Sequence, residues 1–484
     1  MPTIPTSTPL QISDKRKVDG LSPGDADGDP TADINVLLVV YAFPPAGGVG
    51  TLRAASLARY LPGEAIRLDV LTTRNPSSVV SDFSLLDEIP ETVTIHRTYT
   101  LDLPFPLKKR LKALIGMSNS HSTQSGTATS QTRVFKRLLQ DILLPDPQVT
   151  WLPILTRAAR RVIRDRQIDL VLITGAPFSN YLLARRLRKE YPRLPIVLDF
   201  RDEWISTCFG NASFSFSRSE RARRFAVRAE AAAIASASAV VSVSNNGLRE
   251  IKARYPNDPD NKYHYIPNGF DASRITIGRG NRKLQHHNKI VVTYVGTLYN
   301  STEPSYLVDA LRSLPLGSKN RILLRFVGHI EELRYKQLLL ELGEMVELAN
   351  HVPQREALNA LSETDYLLLV SHDRVNVSAK FYDYLGSEKP ILACIHPDGE
   401  IRSLLEALQA GWWAPSNDVA AIRQLFLNAL AHGKYPFPAF NPDTAKIAQY
   451  ERKALAKRYA TLLHSIAENA RDLMSEPQKT PSKT

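Results

Sequence analysis

Residues 34–61 read INVLLVVYAFPPAGGVGTLRAASLARYL. INVLLVV (34–40) is a continuous apolar, β-branched run, the pattern of a strand buried on both faces of a parallel sheet. Ala54, Leu57, Ala58 and Leu61 recur at helical spacing, so the chain re-enters as an amphipathic helix over 51–61. Between them lie two prolines and Gly47, Gly48 and Gly50. Glycine lets backbone N–H groups come close to a ligand, and the start of a helix is electropositive. The spacing is not G-x-G-x-x-G and no P-loop lysine follows. A phosphate-facing loop and a plain tight turn both fit.

The same alternation repeats along the chain. Apolar runs occur at IDLVLIT (168–174), LPIVLDF (194–200), SAVVSVS (238–244), KIVVTYVG (289–296), RILLRFVG (321–328), DYLLLV (365–370) and KPILACI (389–395), with helical segments between them. Strand and helix in alternation predict an α/β, doubly wound architecture. The 484 residues exceed one ordinary core. The polar, basic stretch 278–288 divides the strands into two Rossmann-like domains, 34–277 and 289–443. Low apolar content marks 1–33 and 469–484 as tails, and SNSHSTQSGTATSQT, within an insert at about 117–133, as a flexible excursion. A long helical pattern covers 444–468.

Composition limits the function classes. The chain is 43% hydrophobic and 23% charged, within the range of soluble globular proteins, and no stretch reaches the ~20 apolar residues of a membrane span. The N-terminal residues are polar, without the apolar core of a leader. Cys208 and Cys394 have no metal-site spacing and suit a reducing compartment. These features predict a cytoplasmic protein. A net charge of +12 admits nucleic acid, an anionic membrane or a phosphorylated substrate. No nucleic-acid motif accompanies the charge, so nucleic acid is not expected as a partner. LPFPLKKRLKALIG (103–116) interleaves Lys108, Lys109, Arg110 and Lys112 with leucine and phenylalanine, as a helix lying on anionic lipid does; a solvated helix face has the same pattern. The arginine-rich 156–167 leads into a strand and is expected to pack on the sheet.

In open parallel sheets ligands bind beyond the carboxyl ends of the strands. Charged residues there are Asp199, Arg201, Asp202 and Glu203, which must be solvated, paired or functional. In the second half, Gly296 and Thr297 end a strand, and Ser378 stands at the start of a helix as a candidate cap. Lys380 offers a point charge to phosphate. Asp383, one turn later, suits ribose hydroxyls; Lys380 and Asp383 also have the spacing of a surface ion pair.

FPPAGGVGTLRAASLARYLP (43–62), TGAPFSNYLLA (174–184), VLDFRDEW (197–204), YIPNGFD (265–271), YVGTLY (294–299) and KFYDYLGSEKPILA (380–393) occur in the order seen in family 4 of the glycosyltransferases. Over roughly 34–465 the chain resembles bacterial members that build exopolysaccharide or lipopolysaccharide units. The resemblance implies a GT-B fold, two Rossmann-like domains facing a cleft. It implies a retaining transferase without metal or other cofactor. The donor would be a nucleotide-diphosphate sugar, and the acceptor lipid-linked or polysaccharide, at the inner membrane face. In that reading Gly47, Gly48, Gly296, Thr297 and Ser378 approach the donor, Lys380 neutralises its diphosphate and Asp383 holds its ribose. Arg201 and Asp202 line the cleft from the first domain, and the helix at 444–468 crosses back to that domain. The family's two glutamates, with seven residues between them, fall here on Val375 and Asp383, with Asp373 and Asn376 as neighbouring substitutes. A catalytically weak binding or scaffold protein and a sugar-nucleotide epimerase are the competing functions.

Overall fold

The computed structural model describes residues 33–76, 81–101, 143–209, 219–276, 288–349, 360–361, 363–436 and 438–475. The proposed membrane segment with Lys108, Lys109, Arg110 and Lys112, the insert at 117–133 and nearly all of the 278–288 stretch lie outside them.

Two wholly parallel sheets form the framework. The first contains β1 (Ile34–Val39), β2 (Ile66–Thr73), β3 (Thr94–Thr98), β4 (Leu170–Gly175), β5 (Ile196–Phe200), β6 (Ala239–Ser242) and β7 (Tyr263–Tyr265), in the order β3-β2-β1-β4-β5-β6-β7. The second contains β8 (Ile290–Val295), β9 (Ile322–Val327), β10 (Val346–Ala349), β11 (Tyr366–Ser371), β12 (Ile391–Ile395) and β13 (Gly411–Pro415), in the order β10-β9-β8-β11-β12-β13. The order reverses between β1 and β4 and again between β8 and β11. The crevices at those two reversals are where this architecture binds ligands.

The continuous apolar runs became the central strands, fully buried in β1, β4, β5, β11 and β12 apart from Asn35. β2, β3, β7, β10 and β13 have no such run. β3, β10 and β13 are edge strands, half-exposed along most of their length, so their sequences do not have to be apolar. In β2 the buried Asp69 breaks the pattern; it is paired with His96 at 2.6 Å and Arg166 at 3.2 Å.

The helices that position the site are α1 (Val49–Tyr60), α2 (Leu152–Asp165), α3 (Asn245–Arg254), α4 (Ala379–Gly386), α5 (Glu400–Ala407), α6 (Thr444–Ala448) and α7 (Arg452–Ser475). The arginine-rich α2 buries Leu152, Leu155, Ala159, Val162 and Ile163 against one face of the first sheet and turns its arginines outward. The chain crosses between the sheets twice, and the two crossings lie side by side. Phe270 N–H donates to Tyr450 O at 3.1 Å, and Arg452 N–H to Phe270 O at 2.9 Å. The helical pattern of 444–468 is broken here. α6 packs Ile447 with Phe270, Phe381 and Tyr382 against the second sheet, whereas α7 lays Leu455, Ala456, Tyr459, Ala460, Leu463 and Ala467 on the first. α7 continues to Ser475, into the stretch read as tail.

A buried ion pair fastens α7 in place. Arg53 of α1 donates to Asp199 of β5 at 3.0–3.3 Å, and Tyr459 of α7 donates to the same carboxylate at 2.6 Å. Thr174 adds a bond at 2.9 Å, and Arg53 also reaches the carbonyls of Ile266 and Pro267, both at 2.8 Å. Asp199, charged at a strand end, is therefore paired and internal.

Candidate active site

The glycine loop after β1 ends on Gly48, the residue before α1, with φ +98°. A Cβ at Gly48 would meet no atom within 4 Å, so the backbone angle, not crowding, calls for glycine. No side chain caps α1 and its first turn holds no acidic residue, so its electropositive end is not neutralised from within the helix. Gly47 is half-buried and Gly50 exposed.

Arg201 organises this loop. Its guanidinium donates to the carbonyls of Gly175 (2.7 Å), Ala176 and Gly50, tying the ends of β4 and β5 to the start of α1. The sequence suggested a cleft-lining sugar contact or an Arg–Asp pair, but these donors go to backbone. Asp202, half-buried beside it, has its carboxyl pushed up by burial, with Arg201 opposing and Asp373 adding to the shift. Glu203 is buried and bonded to Arg254 and Ser206.

On the second sheet, Gly296 directly follows β8, and its φ of +124° favours glycine. A Cβ there would sit 3.2 Å from Lys380 Nζ. Gly328, φ +143°, comes so close that its Cβ would lie 2.2 Å from Gly296 O. Two glycines thus let the ends of β8 and β9 approach each other, with Lys380 against the first of them. Thr297 is exposed, and its carbonyl accepts the Tyr294 hydroxyl at 2.8 Å. Lys380, in the first turn of α4, donates to that same hydroxyl at 2.5 Å, and burial pushes its ammonium down to about 7. The Lys380–Asp383 spacing does not produce an ion pair between them. Ser378 occupies the cap position of α4, but its side chain makes no capping bond. Lys380, the backbone at Gly296 and the start of α4 are thus gathered at this end of the second sheet.

Asp383 turns to different neighbours. Its carboxyl is pushed up to about 6 by burial, against the pull of Arg452 and Arg274 at the paired crossings. Val375 is buried, and Asp373 is spent on its own loop, accepting from Val375 N (2.7 Å), Asn376 N (2.9 Å) and Asn376 Nδ2 (3.0 Å). No sequence signal pointed to Tyr294, which sits inside an apolar strand run. None pointed to Glu400 either, which contacts Ser244 and Asn246 of the first domain at 2.8 and 3.0 Å. Among the described residues no cluster of three His, Cys, Asp or Glu side chains could hold a metal, and no helix is long and apolar enough to cross a membrane.

The Glycosyltransferase Family 4 model matches residues 121–274. No curated protein matches the chain. Solved structures do match over nearly their whole lengths. HepE from Anabaena, crystallised with UDP, is 16% identical with a TM-score of 0.51, covering 91% of this chain and 100% of that one. A glycosyltransferase from Rickettsia africae is 13% identical with a TM-score of 0.57, covering 90% and 99%. The α,α-trehalose 6-phosphate synthase of Burkholderia multivorans is 10% identical with a TM-score of 0.59, covering 93% and 100%. At such identities the likeness speaks for the fold alone, which is GT-B. The protein is thus a GT-B-fold chain that resembles glycosyltransferase family 4 and matches its model over residues 121–274.

Proposed function

We propose that this protein is a retaining glycosyltransferase that moves a sugar from a nucleotide-diphosphate donor to a lipid-linked or polysaccharide acceptor in cell-surface glycan synthesis. Lys380 is the observation that carries the reading. A half-buried lysine with a depressed pKa, bonded to a tyrosine hydroxyl and crowded by a left-handed glycine, stands ready for an anion.

In this reading the diphosphate lies against Lys380, the start of α4 and the Gly296 backbone. Negative charge grows on it as the bond from the anomeric carbon to the diphosphate oxygen breaks. Preplaced positive charge stabilises that change most in the transition state. The acceptor hydroxyl then attacks from the face the diphosphate leaves and gives its proton to a departing phosphate oxygen, which preserves the configuration. The Gly47–Gly48 loop, held by Arg201, closes from the first domain, where Asp202 meets sugar hydroxyls. Asp383 holds the ribose. No protein nucleophile, metal or other cofactor enters these steps.

A membrane-borne acceptor fits the first domain's surface. Tyr99 and Leu101, just beyond β3, are 61% and 74% exposed, and Arg74 donates to the Tyr99 hydroxyl at 3.2 Å. This apolar and basic ground leads directly into the 103–116 segment. A binding protein without turnover is the second reading. It draws on Val375, which offers no carboxylate to a sugar.

Thermal shift against UDP, GDP, ADP and their sugar conjugates, followed by product analysis with an undecaprenyl-phosphate-linked sugar, tests the proposal. A preferred conjugate and a product of unchanged anomeric configuration support it. Binding without turnover selects the second reading. No shift with any nucleotide overturns both.

A further inference from the structure

The two domains are joined at a third place, next to the loop that precedes α4. α3 of the first domain points its N-terminus at Glu400, the first residue of α5 in the second. Glu400 is 6% exposed. Its Oε2 accepts from the Ser244 hydroxyl at 2.8 Å and from Asn246 N–H at 3.0 Å. The Asn246 amide donates to Arg374 O at 2.9 Å and Asp398 O at 3.3 Å, and Ser244 also reaches Val375 O. Arg374 pairs with Glu250 on the outer side. A second strap lies nearby, where the Asn376 amide meets Glu203 N–H and Thr207 Oγ1, both at 3.5 Å.

The loop 373–376 is thus held from the first domain, and Asp373 stiffens it internally. At the position where the resemblance would put a sugar-binding carboxylate, Val375 lends a carbonyl to the domain contact. Glu400 is only half satisfied. Its Oε1 makes no well-formed hydrogen bond and instead faces the hydroxyls of Tyr265 and Tyr382, which stand beside this carboxylate from the two domains at the margin of hydrogen-bonding range. A buried carboxylate bonded on one oxygen only is costly to keep dry. A small rotation that opens this contact gives the oxygens water, and one that tightens it gives them phenol donors. Either movement would satisfy the carboxylate, which is what a domain switch requires.

We propose that Glu400, Ser244 and Asn246 form a latch that sets the balance between open and closed clefts, with the Arg374–Glu250 pair as its outer clasp. The latch governs closure whatever ligand the cleft takes; only its link to nucleotide affinity rests on the donor reading of Lys380.

The test uses the full chain, with small-angle X-ray scattering in the absence of ligand and calorimetry with UDP. Glu400→Ala and, separately, Glu250→Arg are expected to enlarge the radius of gyration. Each should weaken UDP binding about 10-fold by depopulating the closed state. The swap Glu250→Arg with Arg374→Glu should restore both. Unchanged scattering in a natively melting Glu400→Ala overturns the latch, as does a swap that stays open. If Glu400→Ala fails to fold, the exposed clasp decides, since both its residues tolerate substitution without burying charge. If the wild type ignores UDP, the nucleotide reading fails while the scattering still decides the latch.

Discussion

Lys380 Nζ lies 2.5 Å from the Tyr294 hydroxyl and 4.1 Å from the centroid of the same ring. The tyrosine comes from an apolar strand and the lysine from a helix more than 80 residues later in the chain. Their contact places one amine, whose charge burial disfavours, at the switch point of the second sheet beside a neutral partner.

The pH dependence of Lys380 follows from its burial. Its pKa falls from 10.5 when unfolded to about 7 when folded. Between those values the unfolded chain binds more protons, so this group's cost to stability is full below pH 7 and fades as pH rises to 10.5. Lys380→Met should therefore melt higher than wild type at about pH 6, with the gap shrinking by about pH 9. A gap that does not change with pH would count against the shifted lysine. UDP affinity in wild type should fall between about pH 7.5 and 9, as binding must reprotonate the amine, and should be weaker and flat in the variant.

Gly296→Ala places a methyl at φ +124° and 3.2 Å from Lys380 Nζ. The backbone strain costs on the order of 1–3 kcal/mol. Chemical denaturation reads that loss. Calorimetry should show a larger drop in nucleotide affinity than Gly48→Ala produces, because Gly48 has open space around it.

Asp199→Ala should be more damaging than any single loss among its partners. It leaves Arg53 buried without its carboxylate, which costs about 3–5 kcal/mol. Tyr459→Phe removes one bond of the same cluster and should cost about 1–2 kcal/mol. The Asp199 carboxyl is held below its ordinary value by Arg53 and the hydroxyls of Tyr459 and Thr174, although burial alone would raise it. Its contribution is present above pH 3.8 and lost as pH falls through the lower folded value. Acid titration of wild type and variant should converge there.

Asp383 carries the opposite sign. Its folded pKa, pushed up to about 6 by burial, exceeds the unfolded 3.8. The folded state holds the extra proton between these values, so its contribution is full below 3.8 and lost as pH rises through 6. Asp383→Asn should raise the melting temperature at about pH 8 relative to wild type and lose that advantage by about pH 4. Loss of donor affinity without loss of stability would support the ribose role.

Membrane attachment is a separate matter. Replacing Lys108, Lys109, Arg110 and Lys112 by glutamine should reduce binding to vesicles containing phosphatidylglycerol by about 1 kcal/mol per charge at low salt. Leu101→Ser should weaken it further without moving the melt, because that side chain is 74% exposed. Salt-insensitive, unchanged flotation would argue against the basic-apolar surface.

The sequence alone determined the central strands, the parallel architecture and the glycine-bearing turns that follow β1 and β8. Continuous apolar runs admit little but burial on both faces, and the glycines at 48 and 296 report backbone angles that other residues avoid. The half-exposed edge strands β3, β10 and β13 were not legible, since they need no apolar run. The partners of charged residues were not legible either. Arg201 meets a carbonyl 151 positions away, and Ser244 meets Glu400 across 156. Whether an arginine at a strand end touches substrate or holds a loop depends on which distant carbonyls the topology delivers to it. Only the tertiary structure decided the partners of Arg201, the neighbours of Asp383 at the paired crossings and the partners of the Glu400 carboxylate. Hydrogen bonds and burial are fixed by proximity in space, which local pattern does not encode.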